Sequence, residues 1–137
     1  MSNNNPGRYL EKQIEKELKK ITDSTFRWRR LPDAHAARGA LAAQPADFFI
    51  ASDGMTIHLE AKSVGGKTFR LPRFSQESEL RAWSRAGVLG YILVHFYEMN
   101  VFKAVDIRDL EPGKPSWVLK DFPSLEGVGE ALEFILS

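Results

Sequence analysis

The chain has 137 residues, 43% hydrophobic and 27% charged, with a net charge of +1, which predicts one globular domain over 1–137 and excludes a disordered chain. Cysteine is absent, excluding a disulfide framework, a thiolate zinc site and a thiol nucleophile. No apolar run approaches the ~20 residues of a membrane helix, and the polar start Met1-Ser2-Asn3-Asn4-Asn5 leads into no apolar signal stretch, so an intracellular protein is expected.

Residues 7–21 predict a helix, because Leu10, Ile14, Leu18 and Ile21 fall on one stripe and Pro6 sits where a first-turn proline is tolerated. Phe26-Arg27-Trp28-Arg29-Arg30 alternates as a strand does. The following stretch to Pro45 mixes Pro, Gly, Ala and Arg and reads as an excursion, so 27–44 forms a basic inserted segment. Cations crowd the first 40 residues (Lys12, Lys16, Lys19, Lys20, Arg27, Arg29, Arg30, Arg38), whereas only acidic charges follow Lys120. That asymmetry fits a polyanionic partner on the N-terminal side and equally fits a solvated helix face.

Residues 47–51 and 56–62 flank Ser52-Asp53-Gly54-Met55, and Asp-Gly between two strand-like runs is a strong hairpin signal. A helix from about Ser75 to Ala86 follows, with Leu80 and Trp83 as candidate buried positions. Residues 88–96 are nearly all apolar, as in a strand covered on both faces, and 100–106 supply another strand. Ser124 can cap a last helix within 124–136, where Val128, Ala131, Leu132, Ile135 and Leu136 share a face. The order predicts an α/β domain with a mixed central β-sheet flanked by helices, its catalytic core spanning 47–106.

With Asp53 and Gly54 as the central turn residues, Ser52 faces Met55, Ile50 faces Ile57 and Asp47 faces Glu60. Asp47 and Glu60 then share one face with Cβ atoms about 4.5–5.5 Å apart, and Lys62 points the same way. Like charges directly opposite each other destabilise a sheet unless a cation lies between them. Mg²⁺ is commonly held by one or two carboxylates plus water and phosphate. A metal-bound water beside a lysine suits phosphodiester hydrolysis. The bland alternative is a capping Asp47 with Glu60 and Lys62 merely exposed. On helix 7–21, Glu11 borders the buried stripe and can reach the metal side; Glu15 is the other candidate. His58 and His95 read as structural, and three scattered histidines do not make a zinc site.

Gln44-Pro45-Ala46-Asp47 followed by Glu60-Ala61-Lys62 resembles the PD-(D/E)xK nuclease superfamily, with one alanine inserted between Pro and Asp. Gly7-Arg8-Tyr9-Leu10-Glu11, Pro45-Ala46-Asp47-Phe48, Leu59-Glu60-Ala61-Lys62-Ser63, Thr68-Phe69-Arg70-Leu71-Pro72-Arg73-Phe74 and the run from Gly87 to Val105 resemble, in order, the motifs of RecU-like Holliday junction resolvases; archaeal-type resolvases are the nearest alternative. The resemblance covers roughly residues 7 to 107. It implies a restriction-endonuclease-like core, with Glu11, Asp47, Glu60 and Lys62 catalytic and Asp47, Glu60 and Glu11 around Mg²⁺, for which Mn²⁺ substitutes. It further implies a homodimer cutting four-way DNA junctions. Arg8, Arg27, Arg29, Arg30, Arg38, Lys67, Arg70 and Arg73 are the candidate DNA contacts. Two departures stand out. The insertion before Asp47 is shorter than the family's stalk, and Gln76 is a displaced equivalent of a His-Gln pair, outside the expected catalytic set. Another nuclease of the superfamily, acting in restriction, replication or end-processing, and an inactive nucleic-acid-binding relative are the alternatives.

Overall fold

Asn5 opens the first helix: its side-chain oxygen accepts the Arg8 N–H at 3.1 Å, and Pro6 follows where its missing N–H costs nothing. The computed structural model describes residues 5–32 and 45–137, so Arg38 and the remainder of 33–44 lie outside the described residues. Helix α1 (Pro6–Lys19) buries Leu10, Ile14 and Leu18 along the expected stripe, each side chain contributing roughly 1.5–3 kcal/mol.

Strands β1 (Phe26–Arg30), β2 (Phe48–Ser52) and β3 (Met55–Val64) come next, followed by a short β4 (Thr68–Phe69). A π-helical turn over Arg73–Glu77 runs directly into α2 (Ser78–Arg85). After it come β5 (Leu89–Phe96), β6 (Val101–Asp106), a 3-10 turn over Ile107–Asp109, β7 (Trp117–Val118) and α3 (Val128–Leu136). Five strands form one sheet in the order β1-β2-β3-β5-β6, antiparallel except for the β3/β5 pair. The parallel pair requires a crossover, which the π-turn and α2 supply. This is the mixed, helix-flanked sheet that the sequence predicts.

The hairpin register follows from its turn. Asp53 and Gly54 both take positive φ, 48° and 87°, the conformation of a tight two-residue hairpin turn. Ser52 therefore faces Met55, Ile50 faces Ile57 and Phe48 faces Leu59.

Two hydrophobic layers cover the sheet. On one face α1 and α3 pack on Phe48, Ile50, Ile57, Leu59, Ala61, Leu93 and Ala104. On the other, Leu80 of α2 and the β4/β7 ribbon, with Phe69 and Trp117, cover Ile92, Val94, Phe96 and Val105. Gly90 allows α2 this close approach, because a Cβ there would stand 3.3 Å from the Leu80 side chain and 3.2 Å from Ile107. On that second face β3 contributes His58, Glu60 and Lys62, level with Gly90, Ile92 and Val94 of β5. The candidate site is thus a polar stripe at the border of an apolar layer.

Several local expectations are corrected. Trp83 is 43% exposed and leans its ring edge on His58 instead of entering the core. The helix after the hairpin begins with a π-turn, since Gln76 and Glu77 both donate their N–H to the Pro72 carbonyl. Ser124 does not cap the last helix: α3 starts at Val128 behind Gly127, with no side-chain cap at that residue. Leu125, expected inside this last segment, instead bridges Phe102 at the edge of β6, its N–H 2.8 Å from the Phe102 carbonyl. The β4/β7 ribbon was not expected, because strands of two residues carry no readable period.

Candidate active site

Asp47 sits immediately before β2, where three segments are tied through it. Its N–H donates to the Leu59 carbonyl at 3.1 Å and its carbonyl accepts the Leu31 N–H at 2.8 Å. Its Oδ2 accepts the Ala61 N–H at 2.9 Å. The β2/β3 ladder ends at the Phe48–Leu59 pair, so the side chain of Asp47 replaces the backbone acceptor that a continuing strand would offer Ala61. One carboxylate oxygen is thereby anchored.

Glu60 lies two residues from Lys62 on the same side of β3 and is only 4% exposed. Its Oε2 is 3.4 Å from the Lys62 Nζ, while its Oε1 is buried without a hydrogen-bond partner. Burial first, then the Asp47 carboxylate, push its pKa up to about 8, against the opposing pull of Lys62 and of the Gln76 side chain. Asp47 is also raised, mainly by burial, with the Ala61 N–H pulling the other way. Two buried carboxylates that resist ionising together lack positive charge. Lys62 supplies part of it; its side chain is about a quarter exposed, with 28% accessible.

Glu11 comes from α1 and is brought near by a tie between helix and strand: the Ser63 hydroxyl donates to the Pro6 carbonyl at 3.0 Å. Burial raises the pKa of Glu11, with Asp47 next in effect, so the two carboxylates sense each other. Arg30 holds Glu11 through Nη2 and Glu15 through Nη1, the latter at 2.5 Å, and lies 5.7 Å above the Phe48 ring. Both helical glutamates face the same cation, and Asp47 adds to the rise in the Glu11 pKa.

The structure brings Asp47, Glu60 and Lys62 together, with Glu11 in electrostatic range of Asp47. The expected DNA contacts are more scattered. Arg30 is engaged by the two glutamates; Arg27 donates to the Phe26 carbonyl at 2.7 Å. Arg8, Arg29, Lys67, Arg70 and Arg73 are exposed, while Arg38 lies outside the described residues. Gln76, outside the expected set, lies on the turn before α2 and pulls the Glu60 pKa down, against the larger effect of burial. The signal available in the sequence was its place shortly after Glu-x-Lys.

Among the described residues no three His, Asp or Glu side chains stand close enough to cage a metal by themselves. The donors nonetheless fit a hard divalent cation. They are oxygen atoms, one of them a buried carboxylate oxygen lacking any partner, and Mg²⁺ completes its shell with water and phosphate.

No protein-family model matches the chain, and no curated protein matches it. Solved structures do match. One is Archaeoglobus fulgidus Hjc, a Holliday junction resolvase from an archaeal hyperthermophile, with a TM-score of 0.62 over 93% of this chain and 98% of that chain, at 15% identity. The fold is therefore that of the Hjc nuclease. Among the described residues no helix is long and apolar enough to cross a membrane.

Proposed function

We propose that the protein is a Mg²⁺-dependent endonuclease that cuts branched DNA, with four-way junctions as its preferred substrate. The observation carrying this reading is the buried, unpartnered Glu60 Oε1 beside Asp47 and Lys62 on one face of the hairpin. A fold shared with a Holliday junction resolvase supports the substrate class.

Asp47 and Glu60 would hold the cation, with Glu11 completing the carboxylate set. When bound, the cation polarises a phosphoryl oxygen and makes its water more acidic. The chain's own residues do the rest. The Ala61 N–H fixes the rotamer of Asp47, and Gln76 favours the ionised form of Glu60. The Lys62 ammonium orients the attacking water and offsets charge on the phosphate in the transition state. Arg30 balances Glu11 and Glu15 next to Asp47. Resolution of a junction needs cuts on two opposed strands and each chain carries one such site, so the active form is a two-fold homodimer.

The test is cleavage of a synthetic four-way junction and its matched linear duplex, with Mg²⁺, with Mn²⁺ and with chelator. Metal-dependent cutting of the junction in preference to the duplex is expected. Metal-dependent cutting of both alike assigns the site to another nuclease activity; binding without cutting assigns a non-catalytic role.

A further inference from the structure

Phe74 is 88% exposed, the most solvated large apolar side chain among the described residues. Single exposed hydrophobic residues are common and carry little meaning alone. The surroundings of Phe74 are what distinguish it. It borders an open groove of about 550 Å³ lined also by Arg70, Pro72, Arg73, Lys114 and Pro115. Among the described residues, Arg70, Arg73 and Lys114 enter no ion pair, so three cations of one groove are left uncompensated. Glu77, the acidic residue of the groove, is buried and neutralised by Arg81 at 3.0 Å.

The ring stands on a fixed base. Its carbonyl accepts the Ser78 hydroxyl at 3.0 Å, and the N–H groups of Gln76 and Glu77 converge on the Pro72 carbonyl at 3.0 and 2.9 Å. Two residues further along the same turn stands Gln76, whose side chain acts on the Glu60 carboxyl. An exposed apolar ring that shares a groove with three cations, on the turn that also carries Gln76, matches a nucleobase flanked by phosphates. Bases stack on aromatic side chains while guanidinium and ammonium groups hold the backbone.

We infer that Phe74 is a stacking platform for a base unstacked at a DNA branch point, with Arg70, Arg73 and Lys114 gripping the adjoining phosphates. This deepens the proposed function and rests on it. An intact linear duplex keeps its base faces covered, so the platform engages only where strands exchange or end. Lys114 thereby joins the DNA-contacting set, and the groove becomes a source of preference for branched over linear DNA.

The experiment measures binding of Phe74→Ala, Phe74→Leu and Phe74→Trp to a four-way junction, its linear duplex and a single strand, each carrying 2-aminopurine, with circular dichroism to verify folding. The expected result is a loss of roughly 10-fold or more in junction affinity for the Ala and Leu variants, with duplex affinity unchanged and the Trp variant near wild type. Stacking-dependent quenching of 2-aminopurine at the branch point should vanish with the ring. Arg73→Gln should weaken junction binding and lower its salt slope by about one. Wild-type junction affinity in Phe74→Ala overturns the inference. So does loss that tracks dimer dissociation in sedimentation, which would make Phe74 a contact between two copies. If wild type shows no preference for branched DNA, the proposed function fails; the stacking inference is then judged on the single strand, where quenching independent of Phe74 overturns it.

Discussion

The side chain of Asp47 accepts the backbone N–H of Ala61 at 2.9 Å, which makes a candidate metal ligand also the terminal link of the β2/β3 hairpin. The two duties separate by substitution. Asp47→Asn retains an oxygen that can accept the Ala61 N–H but loses the charge, so it should fold normally and not cut, while junction binding stays equal or tightens. Asp47→Ala should in addition lose about 1–3 kcal/mol of stability, because the Ala61 N–H is left unpaired. Denaturant unfolding alongside single-turnover cleavage checks both; Mg²⁺-dependent cutting by Asp47→Asn would refute the assignment.

Glu60 makes stability depend on pH in a defined direction. Its pKa rises from 4.5 to about 8 on folding, so its contribution is fully present below 4.5 and is lost as pH rises through 8. Without metal, the wild type should weaken across that window by roughly 3–5 kcal/mol. Glu60→Gln should flatten this loss, and Mg²⁺ should restore stability to the wild type alone at pH 8. Burial of His58 lowers its pKa, which acts the other way: that stability is present above 6.5 and lost as pH falls. Thermal unfolding from pH 5 to 9, with chelator and with Mg²⁺, resolves the two. An unchanged pH profile in Glu60→Gln would rule out the buried carboxylate as its source.

Lys62→Ala should bind metal and not cut. The ammonium stands beside Glu60, 3.4 Å from its Oε2, and removal of one preorganised charge from a transition state costs about 10²–10³ in rate. Metal affinity should stay level or rise once a neighbouring cation is gone. Calorimetric titration with Mg²⁺ and single-turnover cleavage make the comparison; near wild-type cutting would mean that the Glu-x-Lys spacing is incidental.

Arg81 should control the turn that carries Gln76. Its Nε reaches Glu77 at 3.0 Å, and its two terminal nitrogens reach the Ile107 and Leu110 carbonyls at 3.1 and 2.9 Å. Arg81→Met strands a buried glutamate and two carbonyls, for an expected loss of about 3–5 kcal/mol. Arg81→Lys can keep one of the three contacts and should fall between. Equal stability of all three proteins would remove this role.

The hairpin and its site were legible in the sequence because one dipeptide, Asp53-Gly54, fixes the turn, and the turn fixes which side chains share a face. The first helix was legible for a similar reason: its apolar stripe has one period and one direction. Gln76 stood out only through its place after Glu-x-Lys, because the π-turn that carries it leaves no trace in helical periodicity. Trp83 was misplaced because helical periodicity marks the inward face without saying where the covering layer stops. Nor does the alternation of Phe26 to Arg30 reveal that Arg30 turns toward the glutamates of a helix 15 and 19 residues earlier in the chain.

Among the described residues the sheet has two outer strands, and each is treated differently. At β6, Leu125 already occupies part of the border by bonding Phe102. At β1, which pairs with β2, three of five residues are arginines. Lateral addition of another copy's strand at β1 would bring like charges into register, which charged outer strands use to block fibrous self-association. The protein should therefore stay dispersed when concentrated near neutral pH, and should lose that resistance when Arg27 and Arg29 are both replaced by valine.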